Sequence, residues 1–229
     1  MKVSIHQPNY MPWLGFFDKM AQSDVFVIFD DVQFPRGKKH FGHRNRIKTN
    51  AGSKWLTVPI KNKSDMVSFS DTIINYDLDW NVKHLNLIES FYKKAPFFND
   101  YFSDIENILT KQYKSLEQLS CQLIYYFRAK LSIYPQAIVK SSAISKSDLS
   151  GLDKILDILD NLGAKEYITG SGPGSKRYID ESEFKKRNIE LTWQEYEHPK
   201  YNQLFGEFVP YLSVLDLLFN HGEEAKEVI

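Results

Sequence analysis

Three polar segments of the sequence could carry chemistry, because each one directly follows a predicted strand. They are His6-Gln7-Pro8 after the strand Lys2–Ile5, Asp30-Asp31 after the apolar run Val25–Phe29, and Gly170–Ser175 after the strand Glu166–Thr169. In open parallel sheets, ligands bind beside the carboxyl ends of the strands, near a switch in strand order. We therefore expect the three segments to meet at one edge of a sheet and to face a shared ligand site.

The first segment favours proton transfer or hydrogen bonding to a substrate. The imidazole of His6 titrates near neutral pH, so it could act as a general base or donate to a phosphate or carboxylate. Gln7, Asn9 and Tyr10 are predicted to bind substrate beside it. The alternative is a histidine held by the loop carbonyls of the proline-rich turn. A loop that leaves a buried strand has little packing need for His-Gln-Pro, which favours a functional role.

The aspartate pair supports two interpretations. One carboxylate could act as a base, orient an amine, or bind Mg²⁺ that carries a phosphate. The pair could equally form a turn or cap a helix. Both alternatives stay open at this point. We assign the catalytic role to Asp30 and substrate binding to Asp31.

Two further segments could bind an anion. Between Arg36 and Lys48 there are six lysines and arginines and no acid, which predicts a phosphate clamp by Arg44 and Arg46, with Asn45 reading a hydroxyl or amide. The alternative is a solvated basic loop. The glycine-rich segment could present the backbone of Gly170, Ser171 and Gly172 to a phosphate, assisted by Lys176, although it matches neither a Walker loop nor the dinucleotide fingerprint; a flexible loop is the alternative.

Other polar residues are less specific. Tyr201 and Gln203 belong to a predicted rim loop that could contact the substrate. His40 and His43 lack a third nearby ligand, so no metal site is predicted. Cys121 lies within a predicted helix without an evident base, which favours a packed thiol.

The elements that must position these residues alternate between strand and helix at both ends of the chain. Strands are predicted at 2–5, 25–29, 137–140, 166–169 and 189–193, and helices at 14–21 and 152–162, after Asp180 and after Ser213. Two further strands, 55–60 and 72–76, are predicted to form an antiparallel extension. The sequence predicts a single α/β domain over 1–229, with a mostly parallel Rossmann-like sheet, helices on both of its faces and a helical insertion at about 79–132.

Composition and charge indicate which partners and which cellular compartment to expect. The 29 basic and 29 acidic side chains cancel, and no DNA-reading helix motif appears, so DNA is not an expected partner. The longest wholly apolar run, Val25–Phe29, is far too short for a membrane span. No secretory signal is visible, and the single cysteine cannot form an internal disulfide, so we expect a cytoplasmic protein.

The sequence resembles the WbqC-like family of bacterial proteins over almost its whole length. The resemblance rests on ordered blocks: His6–Tyr10, Pro12–Phe17, Ser23–Phe26, Asp30–Phe34, Asn45–Ile47, Trp55–Pro59, Tyr167–Gly170, Tyr178–Asp180, Tyr201–Gln203 and Leu212–Gly222. The family often has a polar amide before the Asn-Arg pair, where this chain has His43-Arg44. The resemblance implies an association with surface-polysaccharide and O-antigen gene sets, and glycine or acyl transfer to amino sugars.

A weaker similarity, limited to the segment Met1–His40, is to pantothenate synthetase, a Rossmann enzyme of the nucleotidyltransferase type. Its first strand also ends in a histidine-containing loop, and its Gln-Phe-Gly-type turn compares with Val32–Pro35. The second histidine of the nucleotidyltransferase motif is missing, with Pro12-Trp13 in its neighbourhood.

The leading hypothesis is an enzyme that moves a glycyl or other acyl group onto the amino group of a nucleotide-linked amino sugar, forming an amide. His6 or Asp30 would take the proton from the attacking amine. The sequence identifies neither the carrier of the activated amino acid or acyl donor nor a cofactor; the similarity to pantothenate synthetase implies ATP, with Mg²⁺, for a self-activating version. The alternative is a non-catalytic module that binds a nucleotide-sugar or glycan in the same pathway and does not require His6.

Overall fold

The strands and helices below come from a computed structural model that describes residues 1–35, 40–61, 67–146 and 148–229. The strands are β1 Lys2–His6, β2 Val25–Ile28, β3 Arg44–Thr49, β4 Gly52–Thr57, β5 Ala137–Lys140, β6 Glu166–Gly170 and β7 Glu190–Gln194. The helices are α1 Leu14–Ala21, α2 Trp80–Tyr92, α3 Phe98–Leu109, α4 Leu116–Lys130, α5 Gly151–Leu162, α6 Pro173–Lys176, α7 Glu181–Lys186 and α8 Val214–His221. Arg36, Lys38 and Lys39 of the predicted basic segment lie outside the described residues.

The chain divides into two units, each of which is described by itself. Unit 1 consists of Met1–Gln7, Asp18–Val32 and Ile133–Glu197. Unit 2 consists of Pro8–Phe17, Gln33–Ser132 and His198–Ile229. The predicted α/β class with a parallel sheet is confirmed, while the assignment of the chain to one domain stays a prediction.

Unit 1 is built on a five-stranded parallel sheet in the order β5-β2-β1-β6-β7. The chain adds β2 and β5 on one side of β1 and β6 and β7 on the other, so the strand order reverses between β1 and β6. His6 pairs with Ile28, and Ile28 with Lys140, which aligns the carboxyl ends of these strands. The sheet therefore has the switch point at which ligands bind in open α/β folds.

The core of unit 1 explains the apolar pattern of its strands. Val3, Ile5, Val25 and Val27 pack against α5, which contributes Ile155, Leu156, Ile158 and Leu159. α5 ends at Gly163, whose φ of +64° favours a residue without a Cβ. β2 is buried at every position, as expected for a strand covered on both faces.

Unit 2 holds the three helices predicted at 79–132, together with an antiparallel hairpin and α8. The hairpin differs from the prediction, because β4 pairs with β3 and not with the segment 72–76. That segment makes only an isolated bridge between Ile60 and Ile74. In β3, the buried residues Asn45, Ile47 and Thr49 alternate with charged ones. The sequence therefore predicted a phosphate clamp, or a solvated basic loop, and no strand at this position.

Candidate functional site at the carboxyl edge of the parallel sheet

His6 is the last residue of β1 and lies at the switch point of the sheet. Its side chain is partly exposed, and its Nδ1 lies 2.8 Å from the carbonyl oxygen of Gln7. A carbonyl can only accept, so Nδ1 carries the proton and Nε2 carries the lone pair. Burial, and secondarily the charge of Lys19, lower the pKa of His6 to about 3. The imidazole is therefore neutral at physiological pH.

Lys19 of α1 is a buried cation beside this histidine, and sequence reasoning missed it. Its side chain is 4% exposed, and its Nζ donates to the carbonyl oxygen of Ile5 over 3.0 Å. Burial lowers the pKa of Lys19 to about 7. A lysine that titrates near neutral pH at a sheet edge is a recognised sign of a functional site. Lys19 follows Asp18 and lies opposite the apolar stripe of Leu14, Phe17 and Met20, so the sequence does not indicate that it is buried.

Asp30 follows β2, and its carboxylate caps the turn Ser141–Ala143 that follows β5. Oδ1 accepts from the hydroxyl of Ser141 and the backbone N–H of Ser142, each over 3.0 Å, and Oδ2 accepts from the hydroxyl of Ser142 over 2.7 Å. Asp30 is only 3% exposed. These contacts favour the interpretation of Asp30 as a cap. Its carboxylate connects the end of β2 to the turn that follows β5.

Asp31 forms a buried ion pair that the sequence did not predict. Its Oδ2 accepts from the Nζ of Lys154 over 2.6 Å, and its Oδ1 accepts from the hydroxyl of Ser141 over 2.5 Å. Lys154 belongs to α5 and is 1% exposed; it also donates to the carbonyl oxygen of Lys146. In the helical pattern Lys154 lies outside the apolar stripe of Leu152, Ile155 and Leu159, so the sequence does not indicate the pair.

The glycine-rich segment begins where β6 ends, at the same edge of the sheet as His6. Part of it is helical: α6 begins at Pro173, the first helical position, where proline is well tolerated. Gly172 and Gly174 have ordinary negative φ, and a Cβ built at either would meet no atom within 4 Å. Ser171, Gly172 and Lys176 are exposed. All three predicted segments thus reach the carboxyl edge of unit 1, and their roles stay predictions.

The predicted binding residues in the first part of unit 2 are held by internal contacts. The hydroxyl of Tyr10 lies 2.8 Å from Nδ1 of His84, and Tyr10 and Asn9 are both buried. Asn45 is 1% exposed; its Nδ2 donates to the carbonyl oxygen of Met11, and its Oδ1 accepts from the N–H of Arg46. These contacts favour roles in holding the fold of unit 2.

Tyr201 contributes to a buried carboxylate network in unit 2. Asp216 is completely buried and accepts from the hydroxyl of Tyr92 over 2.7 Å and from that of Tyr201 over 2.9 Å. Burial raises the pKa of Asp216 to about 6, although both hydroxyl contacts act in the opposite direction. The sequence indicated Asp216 only as part of the start of the helix after Ser213, and its hydrogen bonds to Tyr92 and Tyr201 were not predicted.

The side chain of Gln203 closes its loop by two hydrogen bonds to the backbone of Val209. Its Nε2 donates to the carbonyl oxygen of Val209 over 3.0 Å, and its Oε1 accepts from the N–H of Val209 over 2.9 Å. The buried Nζ of Lys48 donates to the same Oε1 and to the carbonyl oxygen of Glu207. The amide of Gln203 is therefore used within the protein.

Arg44 and Arg46 lie on β3, two residues apart, and both are partly exposed.

Within the described ranges, no cluster of three or more His, Cys, Asp or Glu side chains is arranged to hold a metal ion. In the same part of the chain, no helix combines the length and the apolar character that crossing a membrane requires.

Comparisons with known proteins identify relatives without a described activity. The model of the WbqC-like protein family matches residues 7–228. An uncharacterized protein of Mycobacterium tuberculosis is 35% identical over 231 residues, which cover 100% of this chain and 97% of the relative. No solved structure matches the chain.

Proposed function

We propose that this chain, which belongs to the WbqC-like protein family, is a transferase that moves a glycyl or other acyl group onto the amino group of a nucleotide-linked amino sugar. The product is an amide, made for O-antigen or another surface polysaccharide. The observation that carries the proposal is the neutral histidine at the switch point of the parallel sheet, with a buried lysine of near-neutral pKa beside it.

Amide formation requires a group that accepts a proton. The sugar nitrogen attacks the acyl carbon, the new C–N bond forms, the bond to the carrier breaks, and the nitrogen must lose a proton. Attack makes the N–H of that nitrogen more acidic than in the free amine, and the neutral imidazole can accept the proton as the C–N bond forms. Nε2 of His6 carries the lone pair for this step, because Nδ1 donates to Gln7.

Lys19 acts through His6 as a positioning residue. Its positive charge lowers the pKa of His6 and so opposes protonation of the imidazole. As the pH rises through about 7, Lys19 loses its proton and that opposition ends. Turnover should therefore increase with pH across this range, and Lys19→Met should remove the part of that increase that comes from Lys19.

The phosphates of the sugar nucleotide would bind at the glycine-rich segment of unit 1. Gly170, Ser171 and Gly172 would present backbone N–H groups, and the exposed Lys176 would supply positive charge. Two glycines of this segment, Gly172 and Gly174, are required neither by a left-handed φ nor by a close neighbour. Close approach of a bound phosphate is a physical reason for glycine at such positions.

The aspartate pair is not assigned a metal in this proposal. Mg²⁺ would need carboxylate oxygens, but those of Asp30 and Asp31 already accept hydrogen bonds from Ser141, Ser142 and Lys154. The proposed reaction therefore has no step that uses Mg²⁺. Of the two predicted bases, we favour His6 over Asp30.

The test is product formation with defined donors. Purified protein is mixed with a UDP-linked sugar that has a free amino group, and with glycine plus ATP and Mg²⁺, glycyl-tRNA or a glycyl thioester. Mass spectrometry should detect addition of one glycyl group with one of these donors, and a panel of other amino acids follows. ATP–pyrophosphate exchange that depends on an amino acid would identify the self-activating version. Binding of the sugar nucleotide without product from any donor would support the alternative, a non-catalytic binding module.

A further inference from the structure

An exposed patch of arginine and aromatic side chains lies on one face of the β3–β4 hairpin in unit 2. In the antiparallel register, Arg46 lies opposite Trp55, and Arg44 lies opposite Thr57. Because side chains alternate along a strand, Arg44, Arg46 and Trp55 project from the same face. We call these three residues, together with Tyr211, the hairpin patch.

The two guanidinium groups lie against one indole ring. Cζ of Arg44 is 4.3 Å from the centroid of Trp55, and Cζ of Arg46 is 5.7 Å from it. The Trp55 side chain is nevertheless 41% exposed. Stacking on an aromatic ring leaves the remaining N–H groups of a guanidinium available for hydrogen bonds to a phosphate.

Arg46 also brings a second exposed ring into the patch. Its Nη2 donates to the carbonyl oxygens of Pro210, over 3.2 Å, and of Tyr211, over 3.4 Å. Tyr211 is 44% exposed and holds a left-handed φ of +59°, which is strained for a residue with a Cβ. Its ring packs edge-on against Trp13 at 5.6 Å. These contacts hold the ring at the surface.

The positive charge of the patch is not neutralised by the protein. The sequence from Arg36 to Lys61 contains eight lysines and arginines and no acid. Among the residues that the structure describes, no carboxylate lies within ion-pair distance of Arg44 or Arg46, and the buried Nε of Arg46 has no hydrogen-bond partner. Two partly exposed guanidinium groups without an ionic partner in the described part of the chain favour an anion as the ligand.

We propose that the hairpin patch binds a nucleoside phosphate. The phosphate accepts hydrogen bonds from Arg44 and Arg46, and the base packs against the exposed surface of Trp55. Two arginines beside one or two exposed rings match a single nucleotide, whereas a nucleic acid strand would need a longer basic track. The proposal concerns unit 2 alone and does not rest on the transferase activity.

Isothermal titration calorimetry of the full chain at low salt tests the proposal with UMP, AMP, CMP and GMP, with the nucleosides, and with ribose 5-phosphate. At least one nucleotide should bind saturably, with its nucleoside and ribose 5-phosphate each weaker by roughly tenfold or more. Trp55→Leu should weaken the nucleotide by roughly tenfold and leave ribose 5-phosphate unchanged. Arg44→Gln should weaken both ligands.

Lys54→Gln is the matched control, because Lys54 projects from the opposite face of the same hairpin and the variant loses the same charge. Equal effects of Lys54→Gln and Arg44→Gln would indicate general charge attraction and overturn the proposal. So would the absence of saturable binding at millimolar nucleotide, or a short RNA that binds far more tightly with steep salt dependence. Nucleotide binding that depends on Lys176 and not on Arg44 would also overturn it, while supporting the proposed function. Circular dichroism of each variant confirms that it is folded.

Discussion

Breaking the buried ion pair between Asp31 and Lys154 should destabilise unit 1 by far more than breaking an ion pair on its surface. The substitution Lys154→Met keeps the length and the apolar stem of the side chain but removes Nζ. That atom donates to Asp31 over 2.6 Å and to the carbonyl oxygen of Lys146 over 3.2 Å. The variant therefore leaves a carboxylate and a carbonyl without their buried donor.

The size of the effect follows from burial. The side chain of Lys154 is 1% exposed and that of Asp31 is 17% exposed. Removing one partner of a fully buried pair costs about 3–5 kcal/mol. Because water can reach part of the Asp31 carboxylate, we expect a loss of about 2–3 kcal/mol in the free energy of unfolding.

A double-mutant cycle isolates the interaction. The free energy of unfolding in urea is measured for the unchanged protein, Lys154→Met, Asp31→Ala and the double variant, and the coupling should be about 1.5–2.5 kcal/mol. The exposed pair of Lys186 and Glu183, taken through the same cycle, should couple by about 0.5 kcal/mol or less. A coupling for Asp31 and Lys154 as small as that of the surface pair would refute the structural role of Asp31.

Three further predictions concern titrating groups. Lys19→Met removes the charge that lowers the pKa of His6, so that pKa should rise in an NMR titration; an unchanged value would contradict the role given to Lys19. Burial lowers the pKa of His84 to about 4, while the unfolded chain keeps a value near 6.5, so stability should fall as the pH drops from 6.5 toward 4. His84→Gln should reduce that slope in unfolding experiments at several pH values. Tyr92→Phe removes a donor to Asp216, whose raised pKa of about 6 keeps it charged only at higher pH. The loss, about 1–3 kcal/mol, should therefore be larger at pH 8 than at pH 5, and an equal loss at both would contradict it.

The parallel sheet could be predicted because each of its strands is recognisable from a short stretch of the sequence. The apolar run at 25–29 is typical of a strand covered on both faces, and Gly163 ends α5 as expected. The hairpin was predicted wrongly, since Ile47 is the only apolar residue of β3 and the charged residues Arg46 and Lys48 flank it. A strand whose buried face is mostly polar can be recognised only when its partner strand is known.

The buried charges of the candidate site could not be predicted, because their partners are distant in the sequence. Lys19 is stabilised by a carbonyl of β1, and Lys154 by Asp31, 123 positions away. In the helical pattern, each of these lysines lies outside the apolar stripe of its helix, where an exposed side chain is expected. The placement of His6 at the carboxyl edge of the sheet was predictable, because it directly follows the first strand. Its position at the switch point depends on the strand order, which the structure supplies.

The most direct test of the central claim is a comparison of binding and single-turnover rate in His6→Gln, with the UDP-linked amino sugar and whichever glycyl donor is active. Glutamine keeps a hydrogen-bonding side chain but cannot take a proton. The account predicts unchanged affinity for the sugar nucleotide and a rate of amide formation lower by roughly 100-fold or more. A His6→Gln variant that forms the amide as fast as the unchanged protein would contradict it.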